Sequence, residues 1–316
     1  MITVRRYKES DKEVWNEFNS RSKNSLFMFN RDFMDYHKDR FQDHSLMFFN
    51  EKDELIAILP LNEKETTLSS HGGLTYGGFI VGIDIKQHHM NDCFVALLKY
   101  ARENSFKEIF YKIIPHIFHE YPTEEDRYSL FLNNAQLIRV EPSTIINLGK
   151  PLKMPKGRKA QISRAKREGV VVVEMSDKDD YVKFIDLENQ VLAEHHDTKA
   201  VHTGDELALL NTRFPENVRL FGAIKNNELI AGTVVFEYKD VVHTQYMAAN
   251  HLARQIGALD LVVSTVIEKY KHNKKWLDFG ISTENGGRYL NEGLIAQKEG
   301  FGGRTNTYEM WKIILF

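Results

Sequence analysis

Apolar positions follow two periods along this chain, and the same succession of periods occurs twice. Residues 2–18 begin with a short β-branched strand, pass through an acidic Ser-Asp turn and continue with apolar residues at helical spacing. Residues 170–187 repeat the strand, the acidic turn and the helical spacing in the same order. Serine or aspartate followed by acidic residues is typical of a helix N-cap. The pattern predicts a strand and then a helix at the start of each half.

A second pair of matching segments follows at a similar offset in each half. The sequence Glu-Leu-Ile-Ala occurs at 54–57 and at 228–231, each time after a polar turn, which predicts a β-hairpin in both halves. Amphipathic helices are predicted next at 89–104 and 258–272, each followed by an aromatic strand, at 109–113 and 276–279. Matching segments in the same order of elements indicate an internal duplication, so we predict an α/β fold with mixed sheets, built from two tandem copies of one module.

The boundary between the two copies is marked by proline and glycine. Both residue types interrupt the periodicity repeatedly over 142–157. A chain of 316 residues is also longer than one hydrophobic core usually organises, and it is comfortable for two domains. We therefore predict domains at 1–150 and 151–316.

Charge gives no overall preference for a polyanionic partner, because 42 basic side chains stand against 44 acidic ones. Around the start of the second domain, however, basic residues cluster with few acids between them: Lys153, Lys156, Arg158, Lys159, Arg164, Lys166 and Arg167. Such a run is either a solvated helix face or a surface that binds phosphates. The sequence leaves both interpretations open.

The low cysteine content and the lack of long apolar runs bear on the redox chemistry of the protein and on its compartment. The single cysteine, Cys93, lies within an apolar helical pattern, which predicts a buried and unreactive thiol. The N-terminus lacks the apolar core of a secretion signal, and no run approaches the ~20 apolar residues of a membrane span. We expect a soluble, cytoplasmic protein without a membrane span.

Three further features are candidates for chemistry. His202 stands just before a predicted helix and could accept a proton near neutral pH, or serve in packing or capping. The loop at 69–78 contains four glycines together with His71 and Tyr76, and is either a tight structural loop or the wall of a substrate cleft. His195, His196 and Asp197 have no further ligand at a suitable spacing, so we predict no metal site.

The segment after the predicted strand at 241–249 resembles the phosphate loop of the GNAT acyltransferase superfamily. That loop reads Arg or Gln, two residues, Gly, one residue, then Gly or Ala, and it opens a helix whose N-terminus can bind a pyrophosphate. Arg254 and Gly257 match its first two marks, while Leu259 departs from the third. The resemblance predicts a cofactor site at Arg254, Gln255, Gly257 and Ala258. The first half has no such loop.

The C-terminal part resembles the Fem-type tandem GNAT family, the peptidoglycan-bridge aminoacyltransferases and their relatives. Three segments carry the resemblance: Asp-Phe-Gly-Ile-Ser at 278–282, the glycine-rich turn at 286–294, and Lys-Glu-Gly-Phe-Gly-Gly at 298–303. The duplicated module extends it over essentially the whole chain. The long heptad arm of some members is absent.

This resemblance implies transfer of an acyl or aminoacyl group from acyl-CoA or aminoacyl-tRNA to an amine, with tRNA as a candidate partner and a cell-envelope or glycan precursor as acceptor. The first domain would take the acceptor, and the second would hold the donor and the chemistry. Lys298 would stabilise the oxyanion or the leaving group, with Gln245 and Tyr246 beside the donor. Predicted substrate contacts are His71, Tyr76, Arg288, Tyr289, Asn291 and Phe301. The alternatives are a catalytically silent binding module for a glycan precursor or partner protein, and an RNA-binding module. The oligomeric state is not predicted.

Overall fold

The computed structural model describes residues 2–195 and 199–315, and the chain divides into two compact units. Unit 1 comprises Met1–Glu141 and Thr307–Phe316, and unit 2 comprises Pro142–Asn306. The first boundary lies at the start of the proline- and glycine-rich segment. The sequence predicts that all of 151–316 belongs to the second domain, whereas in the structure the last ten residues belong to unit 1. The reason is strand pairing, since Met310–Ile314 pair with the strand at Glu108–Lys112.

The first part of the chain consists mainly of short strands, ending with the longer β9, together with α-helices. The strands are β1 (Thr3–Arg6), β2 (Gln42–Asp43), β3 (Leu46–Phe49), β4 (Leu55–Leu59), β5 (Asn62–Lys64), β6 (Thr67–Ser69), β7 (Ile80–Val81), β8 (Glu108–Lys112) and β9 (Gln136–Asn147). The helices are α1 (Lys12–Ser20), α2 (Arg31–Met34), α3 (Gln87–Glu103) and α4 (Glu125–Leu132).

The second part of the chain, as far as the structure describes it, has mostly longer strands and further α-helices. The strands are β10 (Val171–Met175), β11 (Val218–Lys225), β12 (Glu228–Glu237), β13 (Val241–Ala249), β14 (Trp276–Ile281), β15 (Thr283–Glu284), β16 (Tyr289–Leu290) and β17 (Arg304–Ile314). The helices are α5 (Lys156–Arg167), α6 (Lys178–His195), α7 (Gly204–Arg213), α8 (His251–Ile256), α9 (Ala258–Tyr270) and α10 (Glu292–Glu299).

Unit 1 has one sheet in the order β1-β3-β4-β7 and a second series in which β17, β8, β6, β5 and β2 are neighbours in that order. The loop at 70–79 separates β6, which pairs with β8 in parallel, from β7, which pairs with β4. Helix α3 packs its apolar face on this core. Cys93 is completely buried there, which raises the pKa of its thiol to about 12, so the prediction of a buried thiol is confirmed.

In unit 2 the strands β10, β11, β12 and β13 form an antiparallel series, β14 joins β13 in parallel, and β9 pairs with β14. One face of the sheet carries α5 and α9 over a continuous apolar core. Helix α6 contacts β12 and β13, and α7 packs against α6. The predicted repeat is confirmed, because each unit contains the same succession: a strand and a helix (β1 and α1, β10 and α6), a hairpin (β3 and β4, β11 and β12), and then a helix and a strand (α3 and β8, α9 and β14).

Candidate active site

The strands β13 and β14 pair over only three residues and then separate. Val241, Val242 and His243 pair with Trp276, Leu277 and Asp278. Beyond His243, β13 continues with β12 while β14 continues with β9. This fork exposes one edge of β13, and an unpaired strand edge offers backbone donors and acceptors to a ligand.

The last pair before the fork is a buried hydrogen-bonded network. His243 Nδ1 lies 2.7 Å from Asp278 Oδ2, and Ser143 Oγ donates to Asp278 Oδ1. The backbone N–H of Gly280 donates to Asp278 Oδ1 at 3.3 Å. Asp278 and Ser143 are completely buried, and His243 is 5% exposed. Each oxygen of this carboxylate therefore receives a donor, which satisfies a charge that would otherwise destabilise the fold.

Lys298 lies beside this network, in the last turn of α10. Its Nζ donates to the carbonyl oxygens of Gly280 at 3.0 Å and Ile281 at 2.6 Å. The side chain is 4% exposed, and this burial lowers its pKa to about 8, while the nearby Asp278 carboxylate favours the charged form. An ammonium has three donors, and the described residues account for two acceptors. One N–H of a poorly solvated cation therefore remains to bind a third acceptor.

A second polar cluster surrounds Tyr246 on β13. Its hydroxyl oxygen accepts from the backbone N–H of His202 at 3.2 Å and from the side-chain amide of Gln245. It also lies 2.7 Å from His202 Nδ1. Because the oxygen already accepts hydrogen bonds, its own proton is assigned to His202 Nδ1, which places the imidazole proton on Nε2. Burial raises the pKa of Tyr246 to about 12, so its hydroxyl stays neutral.

Gln245 occupies a β-bulge. The register of β12 with β13 shifts between Val234 and Val235, which pair with Tyr246 and Thr244, so Gln245 has no partner on β12. A bulge changes the direction of the side chains that follow. In a regular strand, neighbouring side chains such as those of Gln245 and Tyr246 point to opposite faces. The bulge breaks this alternation, and the two side chains are in contact.

Glu188 of α6 belongs to the same region. It is 8% exposed, and burial raises the pKa of its carboxyl to about 7. The Glu188 carboxyl also contributes to the raised pKa of Tyr246. Within the described ranges, Glu188 Oε2 has no hydrogen-bond partner. A buried carboxyl with a pKa near neutrality is typical of a functional site.

The segment predicted as a phosphate loop is largely helical, and α5 packs against its glycine. Residues His251–Ile256 form α8, and the N–H of Gly257 donates to Ala253 O. A Cβ on Gly257 would lie 2.7 Å from the Gln161 carbonyl oxygen of α5, and Ala258 is completely buried. Arg254 and Gln255 are exposed. The N–H of Gly257 is therefore not available to a pyrophosphate, and α5 packs against the Cα of this glycine; binding of a cofactor at Arg254, Gln255, Gly257 and Ala258 stays a prediction.

Gly257 provides a test of this packing, with Gly169 as its control. Both glycines have left-handed backbone, at φ +78 and +76, but nothing lies within 4 Å of a Cβ on Gly169. We expect Gly257→Ala to lower the free energy of unfolding by roughly 2–4 kcal/mol, against about 1 kcal/mol for Gly169→Ala, which adds only backbone strain. Native-state hydrogen exchange of α5 and α9 in both variants measures the difference within unit 2, and equal losses would contradict close packing of α5 on this loop.

The predicted substrate contacts are divided between the interior and the surface. His71 and Tyr76 are 3% and 1% exposed, and Tyr76 is bonded to Tyr308 at 2.8 Å. Phe301 is 3% exposed and stacks on Phe279. All three side chains therefore pack in the interior of their unit, and their contact with substrate stays a prediction.

The other predicted contacts lie near α10. Arg288 and Tyr289 are exposed. Asn291 caps α10 by accepting from Leu294 N at 3.0 Å, and its amide donates to Glu284 at 3.0 Å. Arg288 and Tyr289 are therefore available to a ligand, whereas the Asn291 side chain has a local structural role.

Neither a metal-binding cluster nor a membrane-spanning helix occurs in the part of the chain that the structure describes. Within 2–195 and 199–315, His, Cys, Asp and Glu form no group of three that could hold a metal ion. His196 and Asp197, which the sequence raised as ligands, lie outside the described residues. Among the helices described, none has the length and apolar character needed to cross a bilayer.

Four residues of the site were not selected from the sequence: Ser143, Glu188, His243 and Asp278. Asp278 and His243 gave a usable signal, because a charged or titratable residue inside an apolar strand is rarely buried without a partner. Glu188 gave one too, since it falls on the apolar face of α6 with Tyr181 and Phe184.

Comparison with known proteins agrees with this architecture. Residues 156–289 match the acetyltransferase (GNAT) domain family. FemX has a TM-score of 0.69 at 10% identity, with 99% of this chain and 97% of FemX covered. L-PGS from Bacillus licheniformis has a TM-score of 0.65 at 12% identity, covering 96% and 91%. The tandem GNAT protein from the clavulanic acid biosynthesis pathway, without AcCoA, has 0.57 at 11%, covering 100% and 99%.

Residues 156–289 of the second half therefore resemble a GNAT acetyltransferase domain, and the match spans less than half of the chain. The chain as a whole has the tandem GNAT fold of the Fem type, so the predicted fold and resemblance are confirmed. No curated protein sequence matches this chain.

Proposed function

We propose that this protein transfers an acyl or aminoacyl group from an activated ester or thioester to a primary amine, and that the reaction takes place at the fork of β13 and β14. The main support for the proposal is the environment of Lys298. Its ammonium is buried at this fork and uses two of its three N–H donors within the described residues. Acyl transfer needs positive charge where the carbonyl oxygen becomes negative, and such charge acts most strongly where water is excluded.

In the proposed acyl transfer, each group at the fork has a distinct role. The carbonyl oxygen of the donor accepts the remaining N–H of Lys298, and the amine attacks the carbonyl carbon. A carbon–nitrogen bond forms, negative charge develops on the oxygen beside Lys298, and the bond to the leaving oxygen or sulfur then breaks. Asp278 favours the protonated form of Lys298, and it is itself held by His243 and Ser143. Arg288 and Tyr289, being exposed, are proposed contacts with substrate.

The basic surface of α5 supports an aminoacyl ester of tRNA as the acyl donor. The helix covers Gly257, where a pyrophosphate was predicted, and it has an exposed basic surface formed by Lys156, Lys159, Arg164, Lys166 and Arg167. Arg158 faces inward, where it pairs with Asp260 and donates to Gln297 O at 2.9 Å. A row of exposed cations suits the phosphates of a nucleic acid. Acyl-CoA is the alternative donor to aminoacyl-tRNA. The match to the GNAT domain family favours acyl-CoA, and the description of one similar structure mentions AcCoA.

The acceptor is proposed to be an amine-bearing precursor of the cell envelope, as the Fem resemblance implies. A similar structure, L-PGS, is consistent with aminoacyl transfer but leaves the acceptor of this chain unspecified. Unit 1 has a groove of about 610 Å³ bordered by Phe18, Arg21 and Ile85. That volume suits a small ligand, which supports the prediction that the first domain takes substrate.

Charge reversal on α5 tests the donor. In Lys159→Glu/Lys166→Glu we expect aminoacyl-tRNA binding to weaken by tenfold or more and to lose part of its salt dependence, because two phosphate contacts become repulsive. The matched control is Lys183→Glu/Lys275→Glu, which reverses two exposed lysines elsewhere in unit 2. Filter binding with charged tRNA gives the affinities, and transfer to an amine is followed with either donor.

The outcomes separate the alternatives. Transfer from acyl-CoA that is indifferent to the α5 substitutions would reject the tRNA donor and keep the acyl-transfer function. Binding of neither donor would reject the function and leave a catalytically silent binding module.

A further inference from the structure

Strand β10 (Val171–Met175) is an unprotected edge of the larger sheet. It pairs with β11 on one side, and among the described residues no strand pairs with its other side. Four valines stand in succession at 170–173, and the side chains of Val171 and Val173 are 58% and 38% exposed. An edge of this kind offers backbone donors and acceptors together with apolar side chains, so it is a template for pairing with a further strand.

Two other edge strands of the protein are protected against such pairing. Strand β1 has the position in unit 1 that β10 has in unit 2, and it carries Arg5 and Arg6, which form salt bridges with acids of unit 1. Strand β2, at the other end of the strand order of the larger sheet, has only two residues, both polar. Strand β10 lacks these devices, since its one charged residue, Glu174, forms salt bridges with Arg219 and Lys269 of its own unit. The repeat therefore has a protected edge in one copy of the module and an apolar edge in the other.

The exposure of Val173 follows from the strands beside it. Val173 pairs with Gly222 of β11, which pairs with Gly232 of β12, so no side chain stands beside it on either strand. A Cβ on Gly232 would lie 3.0 Å from the Phe184 ring of α6, which puts this row on the face of the sheet that α6 covers. Helix α6 contacts β12 and β13, and it leaves Val171 and Val173 exposed at the edge. A strand added at this edge would cover both valines.

Charges at the two ends of β10 have opposite sign. Helix α5 ends just before the strand with three basic residues: Arg164, Lys166 and Arg167. Helix α6 begins just after it, with Asp179 and Asp180 in its first turn. The two residues that depart from this pattern, Glu168 and Lys178, form salt bridges within unit 2. When two identical strands pair antiparallel, the start of each lies beside the end of the other, so these charges attract, whereas in a parallel pair they repel.

We propose that two copies of this protein associate through β10 into a two-fold symmetric dimer, in which the two β10 strands pair antiparallel about Val173. Val173 then lies beside Val173 of the partner subunit, and Val171 lies beside Met175 of the partner subunit. Arg167 of each copy approaches Asp179 of the partner subunit. Because both copies use the same edge, the association closes at two subunits. This dimer goes beyond the proposed acyl transfer and does not depend on it.

Sedimentation equilibrium over roughly a hundredfold range of protein concentration tests the dimer. The mass of the wild-type protein should rise from one subunit to two. Val173→Lys places two ammonium groups against each other at the two-fold axis, so the dissociation constant should increase by about tenfold or more. The matched control is Val95→Lys, which makes the same change at a valine of α3 that is 64% exposed, and it should dimerise like the wild type.

A charge exchange tests the antiparallel direction and does not depend on the fold of the Val173 variant. Arg167→Asp turns two attractive contacts into repulsive ones, because the two-fold axis doubles each contact, and it should weaken the dimer by about threefold to tenfold. The double variant Arg167→Asp/Asp179→Arg should restore the affinity of the wild type. Amides of β10 should also exchange hydrogen more slowly at high protein concentration, since alternate residues gain a partner.

Four results would overturn the proposal. A single-subunit mass at every concentration would show that the edge stays unpaired, and a mass that continues to rise beyond two subunits would show an open association. A dimer that Val173→Lys leaves as tight as the wild type would lie at another surface. A double variant no tighter than Arg167→Asp alone would contradict the antiparallel pairing.

Discussion

Replacing Lys298 by methionine should reduce acyl transfer by about a hundredfold to a thousandfold, the usual effect of removing a donor to a developing oxyanion. Methionine is close to lysine in length and keeps the apolar contacts of the buried stem. It removes the cation at the fork and the bonds to Gly280 O and Ile281 O. The loss should appear in kcat, because the interaction is strongest in the transition state.

Stability separates this catalytic effect from damage to the fold. Lys298→Met removes two hydrogen bonds, but it also removes a buried ammonium whose pKa is lowered to about 8 by desolvation. These terms oppose each other, so we expect a small change in the free energy of unfolding. A variant that retains transfer, or one that loses transfer only because it unfolds, would contradict the role given to Lys298.

The pH dependence of the wild-type protein gives an independent check. With a pKa of about 8, Lys298 is charged below that pH and becomes neutral above it. The rate should therefore fall as the pH rises through about 8, although deprotonation of the acceptor amine alone would make the rate rise. A rate that increases steadily to pH 10 would show that no cation of this pKa is needed.

Replacing Asp278 by alanine should lower the free energy of unfolding by about 3–5 kcal/mol, the range for breaking a buried charged network by removing one partner. The substitution leaves His243 Nδ1, Ser143 Oγ and the Gly280 N–H without their acceptor in a site closed to water. We expect the loss to be concentrated where β13 and β14 pair.

Native-state hydrogen exchange of β13 and β14 measures this loss within unit 2, where a single unfolding curve of a protein with two units would mix both transitions. Asp240→Ala is the control. Asp240 stands just before β13 and pairs with Lys275 at 2.7 Å, with side-chain exposures of 25% and 68%. Its loss should cost less than about 1 kcal/mol. Equal protection losses in the two variants would mean that the buried network adds no stability.

The element order of this protein was readable from the sequence because it rests on local signals. The acidic turn at 176–179 precedes α6, the Glu-Leu-Ile-Ala segments lie in hairpins, and the helix predicted at 258–272 is α9 (Ala258–Tyr270). Periodicity, caps and turn residues act within a few positions along the chain, so they are visible without tertiary structure. The repeat follows from them, whereas the GNAT fold was predicted from the resemblance of the segments at 254–258 and 278–303.

The tertiary structure decided which side chains meet. His243 and Asp278 are 35 residues apart and become neighbours only through the register of two parallel strands. Gly257 looked like part of a phosphate loop, but the packing of α5 closes that position. Glu188 became a candidate only once α6 was placed on the sheet with that carboxyl buried. The two modules were therefore predictable from local patterns, and the family resemblance pointed to Lys298. The site around Lys298 depends on strand register and burial, which arise from contacts distant in sequence.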